Sequence, residues 1–220
     1  MAVITISRQY GSKGDEIARR VCDILGYRYF DKRLMAEVAS ELNLSPEKLV
    51  DFSDEHYKVR GFLDRLLDRT RTLAQIDTWD EEATGQEQRW THELNEEECV
   101  ELVRRVVRAV YRQGNVVIMG RGGQAILRNM PDVLHLRIEA TLGSRVMWVK
   151  SQKNLSVAEA EALTRERDKA ASAYLKRFYD IDWSNSMLYH MVLNTSKWDI
   201  EAAAQIIVSA VSHLRQRPAV

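Results

Sequence analysis

One stretch limits the fold more than any other: Val3-Ile4-Thr5-Ile6-Ser7-Arg8-Gln9-Tyr10-Gly11-Ser12-Lys13-Gly14-Asp15-Glu16-Ile17-Ala18. It reads as a short buried strand, a glycine-containing turn and the first turn of a helix. Ile17, Val21, Ile24 and Leu25 recur at helical spacing, with Arg19, Arg20 and Asp23 on the other face, and Gly26 ends the helix. A turn of this kind aims several backbone N–H groups and the positive end of a helix at one point, which suits a phosphate. The full phosphate-loop pattern of two glycines, a lysine and a serine or threonine is not met, because Gly14 is followed by Asp15 and Glu16. An ordinary strand-turn-helix corner is the alternative.

The same alternation continues along the chain. Tyr27 to Phe30 is a short aromatic strand, and Asp31 caps a helix through Leu34, Val38 and Leu42. Ser45-Pro46-Glu47 opens a short helix to about Phe52, and Phe62, Leu66, Leu67, Leu73 and Ile76 mark a longer amphipathic one. Between Asp77 and Glu98 the apolar pattern fades into a polar connection carrying Trp79 and Trp90. Glu97 to Arg112 is a helix with Val100, Val103, Val107 and Val110 on one face. Asn115 to Gly120 is a buried strand, and Arg121-Gly122-Gly123 turns into the helix Gln124 to Arg128. Val133 to Ile138 is a strand, Leu142 to Lys150 a helix, Ser156 caps a long helix to about Phe178, Tyr189 to Asn194 is the last strand, and Ile200 to Leu214 the last helix.

Five strands alternating with helices predict a single α/β domain over 1–220, a five-stranded mainly parallel sheet covered by helices on both faces. A helical insertion over about 45–98 and a lid over about 156–183 complete it. Ligands of such sheets sit beyond the carboxyl ends of the strands. Arg8 to Gly14, Asp31 to Arg33, Gly120 to Gly123 and Asn194 to Ser196 follow those ends, so they converge on one crevice.

With 45% hydrophobic residues in 220 the chain can bury a sizeable core. Lys and Arg number 32, as do Asp and Glu, so neither nucleic acid nor a membrane surface is the expected partner, and a small molecule is. Cys22 and Cys99 fall on apolar helix faces without metal-ligand spacing, which predicts buried thiols and a cytoplasmic protein. The first strand leaves no room for a signal peptide, and no apolar run approaches the ~20 residues of a membrane span.

Several runs taken together resemble the cytidylate kinase-like family of P-loop nucleoside monophosphate kinases. They are Ile4 to Ser12, Tyr29-Phe30-Asp31-Lys32, Val117 to Gly122, Glu166-Arg167-Asp168, Arg177-Phe178-Tyr179, Asp182-Trp183, Leu188-Tyr189 and Leu193-Asn194-Thr195. The resemblance implies phosphoryl transfer from ATP, with Mg2+, to a nucleoside monophosphate or related small molecule. Such transfer is achieved by positioning and charge neutralisation, so cations are the residues to seek.

Aligned through Ile4-Thr5-Ile6, the family's lysine position falls on Gly14 and its magnesium-binding hydroxyl near Glu16, and both depart from the pattern. Arg8 and Lys13 are the candidates to replace that lysine, with backbone from Gly11 through Ser12 and Gly14 to Asp15 donating N–H groups. The alternative for both is a solvated loop charge. Asp15 and Glu16 favour the helix dipole but repel a triphosphate, unless they hold magnesium. Arg121 matches an arginine that contacts the acceptor phosphate, a task suited to a bidentate guanidinium, while Gly122 stands where that pattern has aspartate. Asp31 and Arg33 are candidates for the acceptor's base or sugar, with a plain N-cap as the alternative for Asp31. Asn194 belongs to the segment that receives a base, and Arg167 and Arg177 to a lid closing over phosphates. No metal ligands are assigned. A non-catalytic nucleotide-binding module is the rival reading, and a homodimer through the insertion a further expectation.

Overall fold

The structure is a computed structural model describing residues 2–30, 74–80, 88–94 and 96–214, with side chains from 2–30, 97 and 100–214. In chain order the elements are β1 (Val3–Arg8), α1 (Gly14–Leu25), β2 (Arg28–Phe30), β3 (Ala74–Asp80), β4 (Gln88–Leu94), α2 (Glu96–Gln113), β5 (Val116–Met119), α3 (Gly123–Ile126), β6 (Val133–Glu139), α4 (Leu142–Lys153), α5 (Val157–Tyr179), β7 (Met191–Asn194) and α6 (Ile200–Ser212).

Strands β2, β5, β1, β6 and β7 lie in that order in one sheet, every neighbouring pair parallel. This is the sheet the sequence predicts. All four residues of β5 are buried, as an unbroken apolar run in a doubly covered sheet must be. Successive side chains of β1 point to opposite faces. Val3 joins Val103, Val107 and Val110 of α2 and Leu127 in one core layer. Ile4 and Ile6 join Ile17 and Val21 of α1 and Ala203 and Ile207 of α6 in the other.

The helix ends follow local chemistry. Gly26, at φ 66°, ends α1 by donating its N–H to the Cys22 carbonyl. Ser156 and Glu159 form a reciprocal capping box at the start of α5, a device worth about 1 kcal/mol. Cys22 is a buried thiol, its ionisation pushed up to about 12 by burial and then by Asp23.

One expectation is corrected. Residues 74–80 and 88–94 form a two-stranded antiparallel sheet, where the sequence predicts a helical insertion over about 45–98 with a helix marked as far as Ile76 and a polar connection from Asp77 to Glu98. Its register pairs Ala74 with Leu94, Ile76 with His92 and Thr78 with Trp90. The alternation Trp90, His92, Leu94 against Arg89, Thr91, Glu93 is a two-residue period, which a strand satisfies and a helix does not. The expectations for Asp31, Arg33, the helices through Leu34–Leu42 and Ser45–Phe52, and Phe62, Leu66, Leu67 and Leu73 lie outside the described residues, as does the Cys99 side chain. Among the described residues no helix is long and apolar enough to cross a membrane.

Candidate functional site

At the carboxyl end of β1 the chain makes a tight loop, Gln9 to Lys13, and enters α1. Gly11 takes φ 79° and Lys13 φ 63°, a left-handed value that costs a residue with a Cβ roughly 1–2 kcal/mol. Ser12 is buried and donates its hydroxyl to the Gln9 carbonyl at 2.7 Å. Gly11 has no room for a side chain, because a Cβ there would lie 2.8 Å from Val149 and 2.9 Å from the Arg145 carbonyl.

Gly14 explains the missing lysine. A Cβ on Gly14 would lie 2.8 Å from the Cβ and 2.9 Å from the Cγ of Arg8, so the arginine stem runs across the space that a lysine at position 14 would need. The Arg8 guanidinium donates to Asp15, Nε at 3.2 Å and an Nη at 3.4 Å, and the Tyr29 hydroxyl donates to the same carboxylate at 2.9 Å. Burial works to raise the Asp15 carboxyl, but the charge and hydrogen bonds of Arg8, the Tyr29 hydroxyl and the Arg19 charge together hold it below the usual carboxylate range. Burial and the Asp15 charge push the Tyr29 phenol up.

A cavity of about 200 Å³ opens over this loop. It brings together Arg8, Gly11 and Lys13 from the strand and loop, Gly14, Asp15 and Glu16 from α1, Trp148 and Lys153 from α4, and Arg167 and Asp168 from α5. Lys13 Nζ stands 5.1 Å from the centroid of the Trp148 ring, a cation–π contact. Among the described residues Glu16 makes no ion pair, and no three His, Cys, Asp or Glu side chains converge as a metal cage.

A second cavity, of about 330 Å³, lies on the other side of the loop, lined by Ser12, Lys13, Met147, Trp148, Thr195 and Ser196 among others. The Thr195 hydroxyl donates to the Ser12 carbonyl at 2.9 Å and ties the turn after β7 to the loop. Asn194 lies outside this lining, where its side chain caps its own turn by accepting from the Ser196 N–H at 3.0 Å.

Two further sequence candidates, Arg121 and Arg177, line neither of these cavities. Arg121 is buried at φ 58° in the turn after β5. The Tyr179 ring covers Gly122 there, and a Cβ would lie 2.6 Å from it, so the position where the family pattern has aspartate admits no side chain unless the ring moves. Arg177 lines a separate cavity with Arg104 and Arg128. Arg165 and Lys176 of α5 are solvated, Arg165 pairing with Glu161 and Lys176 with Asp180.

Sequence reasoning gave no role to Arg145 and Asp168. Buried Arg145 donates through Nε to the Ala140 carbonyl at 3.0 Å and through one Nη to the Tyr10 carbonyl at 3.1 Å and Asp168 Oδ2 at 2.7 Å. Asp168 Oδ1 accepts the Tyr10 N–H at 2.9 Å. The available signal was spacing: Arg145 precedes Val149 by four residues and so shares its buried helix face.

Residues 3–197 match the family model described as cytidylate kinase-like family. A cytidylate kinase from Pyrococcus abyssi is 30% identical over 216 residues, covering 98% of this chain and 96% of that protein. The Methanocaldococcus jannaschii cytidylate kinase is 32% identical over 110 residues, and the chain spans 61% of that relative's length. A crystal structure of an uncharacterized protein from Eubacterium ventriosum superposes with a TM-score of 0.64 at 16% identity, covering 97% of this chain and 99% of the other, a likeness of fold. With nearly the whole length matched by one family model, the chain belongs to the cytidylate kinase-like family.

Proposed function

We propose that this protein transfers the terminal phosphoryl group of ATP to a nucleoside monophosphate, cytidylate or a close relative, through a phosphate loop rebuilt around Arg8. The observation that carries the reading is the convergence of Arg8, Lys13 and Arg167 with the loop backbone on one cavity at the end of the central strand. Three cations from three elements suit the triphosphate, whose charge must be neutralised as the bond to the leaving oxygen breaks. Docking of α5 over the loop excludes water, so that the acceptor phosphate and not water receives the group.

The donor's base fits the second cavity, beside Trp148, Thr195 and Ser196. Arg121, one strand away, serves the acceptor phosphate. Magnesium fits a single carboxylate plus phosphate oxygens, and Glu16 supplies the carboxylate, because the oxygens of Asp15 and Asp168 are already bonded. When bound, the ion neutralises phosphate charge.

The second reading, a nucleotide-binding module without turnover, is favoured by the Arg8–Asp15 pair, which must loosen before the guanidinium meets phosphate. ADP release from magnesium ATP, measured against a panel of nucleoside monophosphates, separates the two. Acceptor-dependent ADP supports the kinase. Nucleotide binding with no turnover on any acceptor supports the module and removes the first reading.

A further inference from the structure

The Arg145–Asp168 pair joins α4, α5 and the backbone of the loop after β1. Both oxygens of Asp168 are committed, Oδ1 to the Tyr10 N–H and Oδ2 to Arg145, and the same Arg145 Nη reaches the Tyr10 carbonyl. Two side chains from two helices thus hold the two consecutive peptide groups that flank the Tyr10 Cα, one by its N–H and the other by its carbonyl. The Arg145 side chain is 7% exposed and that of Asp168 19%, so water competes weakly for these bonds. Arg167 precedes Asp168 on α5 and lines the cavity, so whatever seats Asp168 on the loop also sets the position of Arg167.

From this geometry we infer that Asp168 and Arg145 are positioning residues that couple docking of α5 to the shape of the phosphate loop. Asp168 is the latch on the moving helix. Arg145 is the fixed post, itself anchored to the Ala140 carbonyl. The polar atoms of Asp168 are taken up by the loop and by Arg145 although its side chain lines the cavity: the pair holds Gly11 to Gly14 in register for phosphate and delivers Arg167 above it. The inference rests on reading the cavity as the donor-phosphate site, and its test therefore includes a readout that needs no nucleotide.

That test is amide hydrogen exchange on the full chain without ligand, for wild type, Asp168→Ala, Asp168→Asn and Arg145→Lys. Asp168→Ala removes both bonds, whereas Asp168→Asn keeps an oxygen for the Tyr10 N–H and loses the ion pair. Exchange of the Tyr10 loop should quicken about tenfold in Asp168→Ala and less in Asp168→Asn and Arg145→Lys, while β5 keeps its protection. ADP affinity and kcat should fall by about tenfold or more, as expected when a reacting group is displaced by ~1 Å, with the KM for the acceptor unchanged. Unchanged loop exchange in a variant whose β5 stays protected would overturn the inference. So would a loss of activity reversed by raising magnesium, because Asp168 would then be a metal ligand. Wild type that fails to bind ADP would sink the donor-site reading alone, and the exchange result would still decide the role of the pair.

Discussion

The turn from β1 into α1 and the turn from β5 into α3 leave adjacent parallel strands and use the same backbone device. Each places a residue with a Cβ in the left-handed region, Lys13 at φ 63° and Arg121 at φ 58°, and each has a glycine lying under another residue's side chain. At the first turn that side chain is Arg8, from its own strand; a cavity remains above, and a helix of 12 residues begins below. At the second it is the Tyr179 ring, from the far end of α5, and the helix that follows has four residues. Tyr179 in turn packs edge-on against Tyr174, with Arg104 over its face. The backbone device is shared; what differs is the side chain that takes the glycine's missing volume, a charged one below an open cavity at the first turn and an aromatic ring at the second.

The largest test of this contrast pairs Arg8→Ala with Arg121→Ala. Arg8→Ala should lower turnover about 10²–10³-fold and weaken donor binding, the loss expected when a preorganised charge is removed from a transferring group. Arg121→Ala should lower turnover while leaving donor affinity intact. Steady-state kinetics with separate donor and acceptor titrations distinguish the two, and a shared loss of donor affinity would erase the difference between the turns.

Acid should unsettle the packed turn first. Thr5 Oγ1 lies 2.6 Å from His135 Nδ1, and the Thr5 methyl would lie 3.2 Å from a Cβ on Gly123, so His135 supports the floor of the second turn. Burial, and then the neighbouring His190, lower the His135 imidazole to about 4 from an ordinary value near 6.5. The unfolded chain therefore binds the proton before the folded one does, and stability falls as pH drops from about 6.5 to about 4, by up to ~3 kcal/mol. Urea unfolding across that window measures the slope, and His135→Gln should flatten it. Asp15 has the opposite origin and the same direction at lower pH: its depressed carboxyl gives stability that is present above the unfolded value and lost as pH falls through the folded one, below about 4.

Smaller still is the cost of filling the glycines. Gly122→Ala should lose roughly 2 kcal/mol, part left-handed strain and part contact with the Tyr179 ring, and Tyr179→Ala should recover the contact part. Gly14→Ala should lose about 1–2 kcal/mol through Arg8, recovered in Arg8→Gly/Gly14→Ala. Unfolding free energies of the two double-mutant cycles measure both couplings. The least effect belongs to Trp148→Ala, which frees Lys13 from its ring and should weaken ADP binding two- to fivefold, in line with ~0.5–1 kcal/mol for such a contact.

The sheet was legible because buried parallel strands announce themselves as apolar runs, as Val116 to Met119 does, and because Gly26 and Ser156 punctuate the helices with known chemistry. The loop was legible for the same reason: Gly11 and Gly14 stand between a strand and an amphipathic helix. That Arg167 joins its cations follows from the family resemblance and from no local pattern, since it depends on where α5 lies. Arg145 was passed over because an arginine in a helix ordinarily reads as a solvated face, although its four-residue spacing from Val149 put it on the buried one. In the β3–β4 sheet, Ile76 reads as the end of a helical period, whereas Trp90, His92 and Leu94 alternate as a strand does.

Arg8 is the residue on which the proposed phosphate site depends most. Calorimetric titration of ADP into wild type and Arg8→Ala, with the circular dichroism of both recorded to show an intact fold, tests it most directly. A phosphate site rebuilt around that arginine predicts binding by the wild type and at least tenfold weaker binding by the variant. Equal affinity in a folded Arg8→Ala protein would contradict it, and would hand the phosphate to Lys13 and the loop amides.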